Sequence, residues 1–134
     1  MSEYAHILLD HRDGVAHVIL NRPDKRNALG FGPGSSRDEI VRALADADAD
    51  ATIGAVVLEA NGPTFCAGGD LSGLPPGEGP VQDEALITMV DAFHAAIRQV
   101  TKPVIAAVNG ACVGAGMVLI AQCDLVLAGS DARF

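Results

Sequence analysis

The sequence predicts an α/β domain built on a largely parallel sheet, and three observations carry the prediction. Short apolar runs of strand length, Ala55-Val56-Val57-Leu58, Val104-Ile105-Ala106-Ala107-Val108 and Leu125 to Ala128, are separated by segments of helical character. Strand, helix, strand, helix, strand in that order implies right-handed crossovers between parallel neighbours. The first two of these strands lead into turns of small residues, Cys66-Ala67-Gly68-Gly69 and Gly114-Ala115-Gly116. A chain of 134 residues with no repeat and no linker reads as one domain over residues 1–134, large enough for a real core.

Ile7-Leu8-Leu9 and Val15 to Leu20 read as strands joined through Arg12-Asp13-Gly14, a hairpin signal. Asn21 to Asn27 is a Pro-containing loop that holds Arg22, Lys25 and Arg26, three of the nine Lys/Arg in the chain. Gly30 to Ser36 is too Gly-rich for helix, so the next helix is expected to start near Ser36, with Glu39 completing a capping box. Ile40, Leu44 and Ala47 give it an apolar stripe. Asp46, Asp48 and Asp50 would meet the C-terminal helix dipole unfavourably, which sets its expected end near Ala47. After the central strand, Asn61-Gly62-Pro63 breaks the backbone, and Pro75 to Pro80 is expected to be a mobile loop. Gln82 to Val100 is the clearest helix, with Leu86, Val90, Phe93, Ile97 and Val100 on one face. Lys102-Pro103 ends it, Asn109-Gly110 turns the chain after the next strand, and an apolar helix runs from Gly114 to about Ala121.

Nearly half the residues are hydrophobic and few are aromatic, so the core is expected to consist of Ala, Val, Leu and Ile. The formal charge of -8 argues against a nucleic-acid surface, which needs a basic face. A local basic loop on an acidic chain suits a small polyanionic ligand, although a solvated loop needs no function. The longest apolar run, Ala111 to Ala121, falls short of the roughly 20 residues of a membrane span. The start, MSEYAHILLDH, lacks a basic and then apolar leader, so no secretion signal is expected. Cys66, Cys112 and Cys123 are odd in number and lack metal-type spacing, which reads as reduced thiols in a cytoplasm and no metal.

Gly54 to Leu71, GAVVLEANGPTFCAGGDL, is the stretch with the most chemical content. Small residues let a backbone approach a ligand, Gly-Gly permits positive φ, and Asp70 can cap a short helix. A buried strand that ends in exposed peptide N–H groups can hold a developing oxyanion. Alone, the stretch also fits an ordinary tight turn. Val108 to Met117, VNGACVGAGM, repeats the device, so the two turns could each give one N–H to the same oxygen, with a helix dipole adding to the second. The third position of a dinucleotide fingerprint is Leu119 here, and no Gly-Lys-Ser/Thr phosphate loop exists, which excludes those readings.

Together, Asn21 to Leu29 (NRPDKRNAL), Thr64 to Leu71 (TFCAGGDL) and Lys102 to Gly110 (KPVIAAVNG) with Gly114-Ala115-Gly116 and Cys123-Asp124 resemble the enoyl-CoA hydratase/isomerase (crotonase) family. The resemblance spans nearly the whole chain and implies the ClpP/crotonase fold of ββα units around a largely parallel sheet, here without its C-terminal helices. It implies an enzyme that handles an acyl-CoA substrate through an enolate. Ala67 and Ala115 would donate the two N–H groups of the oxyanion hole. Lys25, Arg26 and Ala28 would lie along coenzyme A, and Ala67, Gly68, Gly69, Asp70 and Leu71 would line its channel. Asp70 is expected to shape the turn as a cap. Coenzyme A would enter as part of the substrate, with no other cofactor, no nucleic acid and no membrane, in a cytoplasmic homotrimer or hexamer.

Two departures bear on the reaction. In the hydratases a Glu follows the second donor by three residues, and here that position is Val118, which cannot transfer a proton. The resemblance therefore favours isomerase or other non-hydratase chemistry, with a CoA-thioester-binding or assembly module without turnover as the alternative. Family members are also longer, and their next acid-bearing turn would begin just after Phe134, so the chain is expected to be their N-terminal half. A serine-protease relative of the Clp type shares the fold but needs a nucleophile where Gly114 stands. Of the other polar groups, Glu59 is expected in a salt bridge or at the surface, Asp91 toward solvent and Asp124 in a structural role. His94 is expected to pack or to lie at the surface, and Glu78 lies in a loop that could close over the acyl group.

Overall fold

The computed structural model describes residues 4–73 and 84–134. The Pro75 to Pro80 loop, Glu78 and the start of the helix expected from Gln82 lie outside the described residues.

Apolar alternation forms strands β1 (Ile7–Arg12), β2 (Val15–Leu20), β3 (Ala55–Ala60), β5 (Val104–Val108) and β7 (Leu125–Ala128). They build one sheet in the order β1-β2-β3-β5-β7. Only the β1–β2 pair is antiparallel; β2–β3, β3–β5 and β5–β7 run parallel, as the alternation of strand and helix predicts. Asp13 at φ 51° and Gly14 at φ 78° make the tight hairpin turn, because two residues of positive φ match the twist of the flanking strands.

Three helices carry the parallel crossovers: α1 (Ser36–Ala49), α2 (Glu84–Arg98) and α3 (Ala115–Ala121). The core lies between α1 and the sheet. Ile40, Ala43, Leu44 and Ala47 pack with Ala16, Val18, Leu20, Val56, Leu58, Val104 and Ala106, all buried. From α2, Phe93 and Ile97 are fully buried, whereas Ile87 and Met89 remain exposed, so its first turns lie against the body only in part. At the far edge, Leu125 and Leu127 of β7 are about 60% exposed, leaving an apolar strand uncovered.

α1 starts at Ser36 as expected, but its cap and its C-terminal end are corrected. Ser35, not Ser36, is the N-cap of α1 and accepts from the Asp38 N–H. Ser36 instead accepts from the Gly30 N–H, and buried Glu39 receives the N–H groups of Ala5 and His6, pinning the N-terminal chain. The helix also continues past Ala47 to Ala49, because tertiary partners answer its acidic end. Lys102 Nζ donates to the carbonyls of Ala47 and Asp50, and Asp48 accepts from the Thr101 N–H and hydroxyl. A cation on the last carbonyls offsets the dipole that the aspartates oppose.

A second sheet was not foreseen. β4 (Thr64–Cys66) and β6 (Ala111–Cys112) pair in parallel, with Cys66 opposite Cys112. Gly110 enters this layer at φ 62°, where a Cβ would stand 1.8 Å from the Pro63 carbonyl oxygen, so only glycine fits.

Candidate active site

The first turn leaves β4 through Ala67, Gly68 (φ 106°), Gly69 and Asp70. Asp70 caps the 3₁₀ turn Leu71–Gly73 as expected: its Oδ1 accepts from the Ser72 N–H at 3.1 Å and hydroxyl at 2.5 Å. The Ser72 bonds, then Arg22, hold the Asp70 carboxyl below the usual range. Asp70 is thus a fixed anion of the turn.

The basic loop is laced to this turn. Ala67 N–H donates to Arg26 O at 3.0 Å, Leu29 N–H to Gly68 O at 2.8 Å, and Asp70 N–H to Leu29 O at 2.8 Å. Leu29 and Gly69 thereby form a parallel bridge in which the Gly69 N–H faces away from the partner strand. Among the described residues, no acceptor meets that N–H. The Ala67 N–H, the expected donor, already has the Arg26 carbonyl and could serve a ligand only by giving it up. The open donor of the first turn is therefore two residues further on.

The second turn leaves β6 through Val113 and Gly114 (φ 56°) into α3. Gly116 N–H donates to Val113 O, while the Met117 and Val118 N–H groups both reach Gly114 O. Among the described residues, the Ala115 N–H alone in this first helical turn has no acceptor. The two turns abut. A Cβ on Gly68 would sit 3.6 Å from the Ala115 nitrogen, and one on Gly116 would sit 2.9 Å from the Cys66 Cβ and carbonyl oxygen. Val113 N–H donates to Cys66 O at 3.0 Å and fixes their separation. Beside them, Met117 and Val118 are about 40% exposed, an apolar rim to the paired donors.

Arg22 is a structural member of the basic loop. Its guanidinium donates to Ala28 O at 2.9 Å and pairs with Asp70 at 3.2 Å, whereas Lys25 and Arg26 are exposed and form no ion pair among the described residues. Asn27, which sequence reasoning passed over, is the loop's anchor. It is 2% exposed, at φ 54°, and donates to Asn61 O and Thr64 O while accepting from the Arg22 N–H.

The other described acids singled out in the sequence have structural partners or face solvent. Glu59 pairs with His17 at 2.7 Å and Asp124 accepts from the Val104 N–H, both matching expectation. Asp91 is exposed, and His94 packs on Phe93 with ring centroids 5.5 Å apart. Burial first, then Arg37 and Arg98, push the His94 imidazole below its ordinary value. Burial raises all three thiols, that of Cys112 to about 11 and that of Cys123 to about 12. No three His, Cys, Asp or Glu side chains among the described residues cluster closely enough to hold a metal ion.

A mostly parallel α/β sheet with two abutting glycine turns, each carrying an N–H without an acceptor among the described residues, defines a protein of the crotonase fold class. The chain belongs to the enoyl-CoA hydratase/isomerase family, whose model matches residues 10–134. It is 38% identical over all of its 134 residues to the probable enoyl-CoA hydratase EchA14 of Mycobacterium tuberculosis, 51% of which it covers. It is 36% identical over 131 residues to the peroxisomal Delta(3,5)-Delta(2,4)-dienoyl-CoA isomerase of Arabidopsis thaliana, covering 90% of this chain and 46% of that protein. The crystal structure of an enoyl-CoA hydratase/isomerase from Xanthobacter autotrophicus Py2 superimposes with a TM-score of 0.87 at 34% identity, over 98% of this chain and 48% of that one. The chain spans about half the length of the curated relatives it matches.

Proposed function

We propose that this chain carries the oxyanion-holding half of an enzyme that processes acyl-CoA thioesters through an enolate. The observation that carries the reading is the pair of open N–H groups, Gly69 and Ala115, on abutting turns. A thioester oxygen placed between them accepts two hydrogen bonds, and both strengthen as charge moves from the α-carbon onto that oxygen. We assign the first donor to Gly69 because the Arg26 carbonyl occupies the Ala67 N–H; Ala115 remains the second. Lys25 and Arg26 supply cations for the phosphates of coenzyme A, and the 67–71 turn with Ala28 forms the wall along which the rest of the cofactor moiety lies.

Val118 decides between reactions. It follows Ala115 by three residues, about one helical turn, so it flanks the bound acyl group but neither gives nor takes a proton. This favours isomerisation or other non-hydratase chemistry over addition of water. The same residue supports the second reading, a thioester-binding module without turnover. The uncovered apolar strand β7 favours assembly, as a homotrimer or hexamer, and the free thiols fit a cytoplasmic setting. No helix among the described residues is long and apolar enough to cross a membrane.

Calorimetric titration with acetoacetyl-CoA, whose acyl group is an enolate mimic, tests the reading. It should bind more tightly than free coenzyme A, and both should weaken with added salt because exposed lysine and arginine supply the attraction. No detectable binding at millimolar ligand would overturn it.

A further inference from the structure

Arg37 is a buried cation without an anion. It is 4% exposed in the first turn of α1, and no carboxylate pairs with it among the described residues. Its Nη1 donates to the carbonyls of Leu29 at 2.7 Å and Gly30 at 3.0 Å. The guanidinium carbon lies over two rings, 4.3 Å from the Phe31 centroid and 5.5 Å from that of Phe93. The opposite edge is unpaired at Nε. Nε is buried with no hydrogen-bond partner among the described residues, and the hydrogen bonds of the guanidinium run from Nη1. Burial accordingly pushes the guanidinium below its ordinary value, against which Cys66 acts weakly.

That unpaired edge has a definite chemistry. Nε–H and Nη2–H point the same way and form the fork that takes a carboxylate through two parallel hydrogen bonds. A buried N–H left unpaired is costly, so the edge is complete only when an oxygen ligand fills it. Its position ties it to the donors: Nη2 lies 3.9 Å from where a Cβ on Gly69 would be. Arg37 also lines a mainly apolar groove of about 350 Å³ between α1 and α2, with Val41, Met89, Ala92, Phe93 and Asp38, whose carboxylate is paired with Arg42, within the size range of small-ligand sites. A thioester oxygen on Gly69 and Ala115 would send a short acyl group along Arg37.

We propose that Arg37 is a specificity residue whose Nε/Nη2 edge binds a carboxylate on the acyl group, so that the preferred substrates are short acyl-CoA thioesters bearing a second, anionic end. The inference rests on the acyl-CoA reading above and narrows its substrate class. Its selectivity does not follow from overall charge, since a chain of formal charge -8 repels an extra carboxylate.

Succinyl-CoA and butyryl-CoA, four-carbon acyl groups ending in a carboxylate and a methyl, are the probes. Calorimetry on the unaltered protein should give a Kd for succinyl-CoA about tenfold lower or better, the scale of one charge-assisted fork. Arg37→Gln should abolish the preference and leave the affinity for free coenzyme A unchanged, and Arg37→Lys should restore only part of it. Equal or tighter binding of butyryl-CoA by the unaltered protein overturns the inference without any variant. So does an Arg37→Gln protein that weakens both thioesters alike, which would mark Arg37 as a support for the Gly69 turn. If free coenzyme A and acetoacetyl-CoA bind while the preference is absent, this inference alone fails. If no coenzyme A species binds, the acyl-CoA reading fails with it.

Discussion

Replacing Gly110 by alanine tests how the two sheets are joined, and Gly32→Ala is its internal control. Both glycines have positive φ, 62° and 85°, so alanine pays the left-handed penalty of roughly 1–2 kcal/mol at either site. They differ in space. A Cβ on Gly32 meets nothing within 4 Å, whereas one on Gly110 lands 1.8 Å from Pro63 O and 2.9 Å from its carbonyl carbon. Those atoms are backbone, so relief requires β4 and β6 to separate, and overpacking of this kind adds about 1–3 kcal/mol. Gly110→Ala should therefore cost about 2–5 kcal/mol and Gly32→Ala only about 1–2 kcal/mol. Urea denaturation of both variants, with the unfolding slope checked for constancy, measures the difference. Because β4 leads into Gly69 and β6 into Ala115, Gly110→Ala should also weaken acetoacetyl-CoA binding more than Gly32→Ala. Equal stability losses at the two sites would refute the account of a backbone contact that joins the layers.

Asn27→Ala should cost about 1–3 kcal/mol in the same assay, since it strips the donor from the part-buried bonds to the Asn61 and Thr64 carbonyls and keeps a left-handed φ. A loss below about 0.5 kcal/mol would show that water replaces the side chain without strain. Alkaline stability should fall from about pH 9 upward. The unfolded thiols ionise near their ordinary value, whereas Cys112 keeps its proton to about 11 and Cys123 to about 12, so ionisation favours the unfolded chain across that interval. Replacing Cys112 and Cys123 by alanine together should flatten that decline; an unchanged decline would assign it to other groups.

The main sheet and all three helices were legible because their apolar residues recur with a definite period. Val56 and Leu58, or Phe93 and Ile97, announce their faces without help from the rest of the chain. What escaped depends on distant partners. β4 and β6 are three and two residues long, too short for any period, and exist because Cys66 and Cys112 face one another. The end of α1 is set by Thr101 and Lys102, more than fifty residues away. Choosing Gly69 over Ala67 required knowing that Arg26 and Leu29 bridge that turn, which no property of the CAGGD segment reveals. Nothing in the sequence marks Arg37; Phe31 and Phe93, from two other segments, are brought to its guanidinium only by the fold.

The most direct test of the oxyanion assignment is the binding preference of acetoacetyl-CoA over free coenzyme A in proline variants, which delete one backbone N–H each. Gly69→Pro and Ala115→Pro, verified as folded by thermal melting, should lose that preference while still binding free coenzyme A. If turnover is measurable, each should lower kcat by about 10²–10³, the usual consequence of losing one oxyanion donor. Ala67→Pro removes only the bond to Arg26, so it should lower stability and leave the preference for the acyl ligand in place. Loss of the preference in Ala67→Pro with its retention in Gly69→Pro would contradict the assignment and return the first donor to Ala67.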